Sequence, residues 1–220
     1  MDYAKNQDYQ NILSTVRDNL VGIAWPTVLT FIVAAFVLIL SQIAYANQTI
    51  GLVTHLIVSS YFFYMMYTPL HEAVHQNISG KNKRFKFLNP LLGSISAAFY
   101  LHSYTQHRWS HLEHHKYANN PELDPDIIIK GPTWFSIAAR GFFILLIKDF
   151  FYIQKEGVKD SDAGKRAMRL GTIESLIPII ILVVLTNLFG LPWYHFFISY
   201  VFPLLFAVML LGIFFDYLVH

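Results

Sequence analysis

The feature that most limits what this chain can fold into is where its basic residues are missing. No Lys or Arg occurs between Arg17 and Lys81, and none occurs after Arg169. The stretches they leave are apolar over lengths that a soluble core rarely needs. Ala24 to Ala46 is almost wholly hydrocarbon, and as a helix it extends roughly 30 Å, the thickness of a bilayer interior. Ile50 to Leu70, Thr172 to Phe189 and Trp193 to Tyr217 read as three further spans, the last anchored by Trp193 and Tyr194. The turns Asn47-Gln48-Thr49 and Gly190-Leu191-Pro192 carry no charge, whereas all Lys and Arg fall in the N-terminal stretch and one central block. The positive-inside rule makes those basic segments cytoplasmic.

The expected architecture is therefore all-α and integral to the membrane. It has about four transmembrane helices, interfacial helices and a cytoplasmic cap, and forms one domain over residues 1–220. The N-terminus lacks the pattern of a signal peptide and reads as a short amphipathic segment. Leu88 to Leu101 is apolar but too short to cross. Trp134 to Ile153 carries Arg140, Lys148 and Asp149 and reads as an amphipathic surface helix. Lys155 to Arg169 reads as a charged loop. There is no cysteine, which excludes thiolate nucleophiles, disulfides and cysteine-ligated metal centres within these residues.

Against this background two histidine clusters stand out: His71-Glu72-Ala73-Val74-His75, and His107-Arg108-Trp109-Ser110-His111-Leu112-Glu113-His114-His115. Ionisable residues near a bilayer are functional by default, and neutral imidazole is the commonest metal ligand. On a helix, positions three and four apart share a face, so His71 with His75, and His111 with His114 and His115, form converging pairs. His107 extends the second stripe by one turn. His55 and His195 stand alone and read as packed or hydrogen-bonded side chains, and His102 is read the same way.

His71-Glu72-x-x-His75 also fits the H-E-x-x-H pattern, in which two histidines hold zinc and the glutamate activates water. A single catalytic zinc needs three protein ligands, and this chain offers at least five. The surplus fits two metals better than one.

His71-x-x-x-His75, then His111-x-x-His114-His115, then Asn120-Pro121-Glu122-Leu123-Asp124-Pro125-Asp126 resembles the membrane fatty acid desaturase superfamily, in particular its bacterial fatty acid desaturases and the beta-carotene hydroxylases. The resemblance runs from about Ile50 to the end and is specific for the superfamily rather than for a substrate. It implies a non-haem diiron oxidoreductase that uses O2 on lipid C–H bonds, with His71, His75, His111, His114 and His115 as iron ligands. His107 falls where the superfamily does not usually have histidine. The ending Phe215-Asp216-Tyr217-Leu218-Val219-His220 is similar to the segment that supplies a further ligand, here His220, with Asp216 one turn earlier. Glu72, Glu113, Asp124 and Asp126 are candidates to orient ligands. The superfamily's third box, His-x-x-His-His, is absent, so the expectation is a C-terminally truncated chain of impaired activity.

The implied activity is that of an acyl-lipid desaturase acting with two iron ions and an external ferredoxin or cytochrome-type electron donor. A carotenoid or lipid hydroxylase, an H-E-x-x-H membrane zinc protease, and a non-catalytic metal-binding membrane protein are the alternatives. Basic residues at 81–86 and 155–169 offer a docking surface for an acidic carrier or for anionic headgroups.

Overall fold

The computed structural model describes residues 22–144, 147–155 and 160–217. The expected N-terminal amphipathic segment and His220 lie outside them. Among the described residues every regular element is helical. Helix α1 is Trp25–Ala46 and α2 is Leu52–Val74. Helix α3 is Leu88–Phe99, α4 is Tyr104–Tyr117, α5 is Trp134–Ile144 and α6 is Lys148–Ile153. Helix α7 is Asp162–Leu188. Helix α8, Trp193–Phe196, runs through a π-helical turn, Phe197–Val201, into α9, Phe202–Leu211, and then into a second π-helical turn, Gly212–Tyr217.

Among the described residues three helices are long and apolar enough to cross a membrane: Trp25–Ala46, Gly164–Leu188 and Trp193–Phe214. Their outward faces are hydrocarbon. Leu29, Val33, Phe36 and Leu40 of α1 and Ile173, Ile177, Ile180 and Val184 of α7 are exposed. Such continuous apolar surface would be unfavourable in water and is ordinary against lipid. Helix α2 is continuous and long enough to span, but its apolar sequence is broken by His55, Ser59 and a C-terminal turn bearing His71 and Glu72. It is the central helix, packed against α1, α3 and α9. Phe63, Met66, Leu70, Ala73 and Val74 of α2 are buried against Ala34, Leu38, Leu92, Ala97, Leu204, Ala207 and Val208.

Three tyrosines tie this apolar core to its backbone. The Tyr100 hydroxyl donates to the carbonyl of Phe63, Tyr104 to that of Ala73 at 2.9 Å, and Tyr200 to that of Phe99 at 3.0 Å. Two of those carbonyls belong to α2, so α2 is fixed along its axis relative to α4 and its histidines. Gly93 lets α3 approach closely, since a Cβ there would lie 2.3 Å from the Tyr104 ring. At the loop after α2, Gly80 adopts φ +51°, and a Cβ there would strike the Gly22 carbonyl at 2.2 Å. The backbone N–H of Ala24 donates to Ile78 at 2.9 Å beside it, so α1 begins where α2 ends.

Two expectations are corrected. Trp134 to Ile153 is not one surface helix: it contains α5 and α6, and in α6 Lys148 and Asp149 are buried. The reason is pairing, since each has buried partners of opposite charge. The charged stretch up to Arg169 is not all loop, because α7 begins at Asp162, capped by Ser161, whose hydroxyl accepts from the Gly164 N–H at 3.0 Å.

Candidate metal centre

The last turn of α2 and the middle of α4 lie side by side in parallel register. Tyr67 faces His107 with ring centroids 6.1 Å apart, His71 faces His111 at 4.9 Å, and His75 faces His115 at 4.8 Å. Each rung is one helical turn from the next on both helices, the spacing that puts side chains on one face. The ring nitrogens of His71, His75, His111 and His115 that could bind a metal all lie within 4.8 Å of one another. His111 Nε2 is 3.2 Å from His75 Nε2 and 3.0 Å from His115 Nε2.

One nitrogen carries either one hydrogen or one lone pair. His111 Nε2 therefore cannot make a good hydrogen bond to both neighbours, whereas a cation at the common point satisfies all three. Nitrogens bound about 2.1 Å from a shared ion, 90–110° apart, stand roughly 3.0–3.4 Å from one another. The donor set thus fits a transition-metal ion. Burial, and after it the neighbouring imidazoles, hold His75 and His111 well below the ordinary histidine range, so both stay neutral, the form a metal requires.

His71 Nδ1 donates to Glu72 Oε1 at 3.3 Å, and the same carboxylate accepts from Asn77 Nδ2 at 3.0 Å. Those bonds turn His71 Nε2 away from Glu72.

His114, expected with the other ligands, lies on a neighbouring face. Its Nδ1 donates to Asp124 Oδ1 at 2.7 Å, and Asp126 Oδ2 is 3.8 Å away. The Asn120 side chain shapes this acidic turn by accepting from the Glu122 and Leu123 N–H groups at 2.9 and 3.0 Å. Asp124 in turn accepts from the N–H groups of Asn119 and Asp126 at 2.7 and 2.8 Å. Burial raises the Asp124 carboxyl, but these bonds outweigh it and hold it low. A carboxylate on Nδ1 fixes the tautomer, placing the hydrogen on Nδ1 and the lone pair on Nε2. His114 lies 5.6 Å from His115 between ring centroids, so the two groups are adjacent.

A third group was not legible in the sequence. Asp149, fully buried on α6, accepts from His102 Nε2 at 2.7 Å and His107 Nδ1 at 3.0 Å through Oδ2. Its Oδ1 accepts from Lys148 Nζ at 2.9 Å and from the Ser110 hydroxyl. Lys148 Nζ also bridges to Asp126 Oδ1 at 2.5 Å. Burial pushes the Asp149 carboxyl up, yet Lys148 and the two imidazoles hold it well below the carboxylate range. Lys148 is likewise held charged by Asp126 and Asp149 against its burial. The only sequence signal was a Lys-Asp pair inside an aromatic, aliphatic run.

Glu174, inside the apolar run of α7, carries no local sequence signal of a role at the site. It accepts from the Ser103 hydroxyl at 2.6 Å, the Thr105 N–H at 2.8 Å and the Thr105 hydroxyl at 2.6 Å. An anion at a helix N-terminus is favourable, and here it anchors the start of the histidine helix. Glu113, a candidate orienting carboxylate, instead pairs with exposed Lys116 at 3.8 Å. The Asp216 side chain and all of His220 lie outside the described residues.

No curated protein and no solved structure matches the chain. The fatty acid desaturase family model matches residues 48–220, a span that includes both histidine clusters and the acidic turn. With its apolar helices and a histidine group compatible with a metal site, the chain is a membrane protein that belongs to the fatty acid desaturase family.

Proposed function

We propose that this protein is an O2-dependent, non-haem diiron oxidoreductase that desaturates an acyl lipid. The observation that carries the reading is the meeting of His71, His75, His111 and His115 from two helices at one point. His114, oriented by Asp124, and His220 complete the proposed ligand set. Asp126 joins Lys148 to that support, and Asp216 is proposed to hold a metal-bound water. Imidazoles suit iron. When bound, iron supplies the means of activating O2 so that hydrogen can be removed from an unactivated carbon. The residues of the chain orient the imidazoles, keep them neutral and exclude water from the apolar side of the centre.

The fold supports an apolar substrate. A cavity of about 380 Å³ lies between α1, α2, α7 and the π-helical turn Phe197–Val201, lined by Leu38, Phe63, Phe99, Leu182 and Tyr200. Phe63 packs on Tyr100, Tyr100 on Tyr67, and Tyr67 on His71. This aromatic line joins the bundle interior to the histidines over about 12 Å of helix rise between Phe63 and His71. The proposed topology has α2 as a fourth span and the histidines on the cytoplasmic face, because the exposed basic residues Lys81, Lys83, Arg84 and Lys86 follow α2 directly. Electrons are proposed to come from a ferredoxin or cytochrome-type protein docking on that basic face.

Hydroxylation shares the first hydrogen removal and differs only in the second step. Zinc proteolysis is disfavoured by the fourth imidazole and by the hydrogen bonds that engage Glu72. Metal analysis of the purified protein, with acyl analysis of membranes from cells expressing it, tests the proposal. Iron with a new O2-dependent double bond supports it. Zinc alone, with peptide cleavage lost in Glu72→Gln, overturns it.

A further inference from the structure

The group of His102, His107 and Asp149 resembles a second metal site by proximity, but its hydrogen bonds argue for a different role. An ionised carboxylate is acceptor-only, with about four lone-pair directions. Those of Asp149 are taken by His102 Nε2, His107 Nδ1, Ser110 Oγ and Lys148 Nζ. Asp149 has no lone pair left for a cation. Because Asp149 can only accept, His107 Nδ1 must carry the hydrogen. His107 Nε2 is then a bare acceptor.

That atom is buried, in a residue only 6% exposed, and among the described residues no group within hydrogen-bond reach donates to it. Buried acceptors without a donor are rare and call for an explanation. His107 sits one turn before His111, rings stacked at 5.5 Å with 28° between planes, as the next rung of the histidine ladder. The local plan repeats at His114, seven residues on, whose Nδ1 is held by Asp124. Both histidines are fixed by a carboxylate on Nδ1, the arrangement that readies Nε2 for a metal. The same side of the ladder also holds three carboxylates, Asp124, Asp126 and Asp149, and among the described residues Lys148 is the ammonium paired with Asp126 and Asp149. A cation beside them offsets the excess negative charge.

We propose that His107 is an additional metal ligand through Nε2, next to His111, and that Asp149 is the positioning residue that fixes its tautomer and orientation. The inference rests on the histidines binding a metal, as the proposed function requires. It adds a ligand at a position outside the paired boxes. His102 donates to the same oxygen from the other side and keeps Asp149 from rotating.

The experiment is cobalt(II) titration of the full chain in detergent, read by visible ligand-field absorption, for the parent, His75→Ala, His107→Ala, His107→Phe and Asp149→Asn. His107→Phe keeps a ring against His111 and guards against a variant that fails to fold. Both His107 variants are expected to shift the cobalt bands and weaken binding at least about tenfold. Asp149→Asn is expected to weaken it about 10–100-fold. Added imidazole is expected to restore the parent spectrum in His107→Ala and not in His107→Phe, where the cavity is filled. If His75→Ala alters the spectrum while both His107 variants match the parent, the His107 proposal is overturned and the functional reading stands. If the parent gives no ligand-field bands, both fall.

Discussion

The bundle holds histidines at both ends, and their nitrogens are treated in opposite ways. At the end carrying the α1–α2 turn, His55 is completely buried, with Nδ1 2.9 Å from the Ser41 hydroxyl and Nε2 2.6 Å from the Ser199 carbonyl. The Tyr45 ring stacks on His55 at 4.7 Å and on His195 at 5.1 Å. Both nitrogens of His55 have protein partners. At the other end, the Nε2 atoms of His75, His111 and His115 face one another. Burial does not separate a proposed ligand from a structural histidine, because His55 is the more buried. What separates them is whether the protein already satisfies the nitrogens. His195 leaves Nε2 without a partner, yet it joins no group of potential ligands among the described residues.

Exchanging the two ends by mutation gives the largest contrast. His111→Ala removes the nitrogen that touches two others and is expected to abolish co-purifying iron, measured by elemental analysis. His55→Ala is expected to leave iron unchanged and lower stability by about 1–3 kcal/mol through its unpaired serine and carbonyl partners. Iron lost equally in both would break the distinction.

Next in size is Lys148→Met. It strips the buried carboxylates of Asp126 and Asp149 of their cation and is expected to cost about 3–5 kcal/mol. A detergent-solubilised thermal melt reads this, and bound iron should restore part of the loss. Smaller again is Asp124→Asn, which weakens the hold on His114 Nδ1 and is expected to lower metal affinity about 10–100-fold without a comparable loss of stability.

The smallest effect concerns pH. The folded values of His75 and His111 lie below the unfolded histidine value, about 6.5. Below that pH the unfolded chain takes up protons before the folded one, so stability of the metal-free protein falls as pH drops from about 6.5. The same low values mean that protons compete poorly for the folded site. Iron is therefore expected to stay bound on dialysis at a pH one unit below 6.5, and release centred at 6.5 would contradict the neutral, buried ligand set.

The histidine pairs and the acidic turn were legible because their spacing is local. Four-residue steps on α2 and α4 predict a shared face whatever the rest of the chain does. The register between the helices was not legible, since it depends on contacts such as Tyr104 to the Ala73 carbonyl, 31 residues away. In sequence Lys148 and Asp149 read as surface charges, because periodicity reports only which face a residue occupies. It does not report that a second buried charge waits there. Glu174 escaped for the same reason, its partners Ser103 and Thr105 being about 70 positions upstream. His114 shows the reverse case: its spacing predicted a ligand beside His111, and the fold gave its Nδ1 to Asp124 first.

The most direct test is iron K-edge X-ray absorption of the purified protein. Several imidazoles per iron should appear as nitrogen neighbours near about 2.1 Å with the outer-shell scattering of the rings, a signal reduced in His75→Ala. A spectrum of oxygen neighbours without ring scattering, unchanged by that substitution, would contradict an iron centre built from the ladder between α2 and α4.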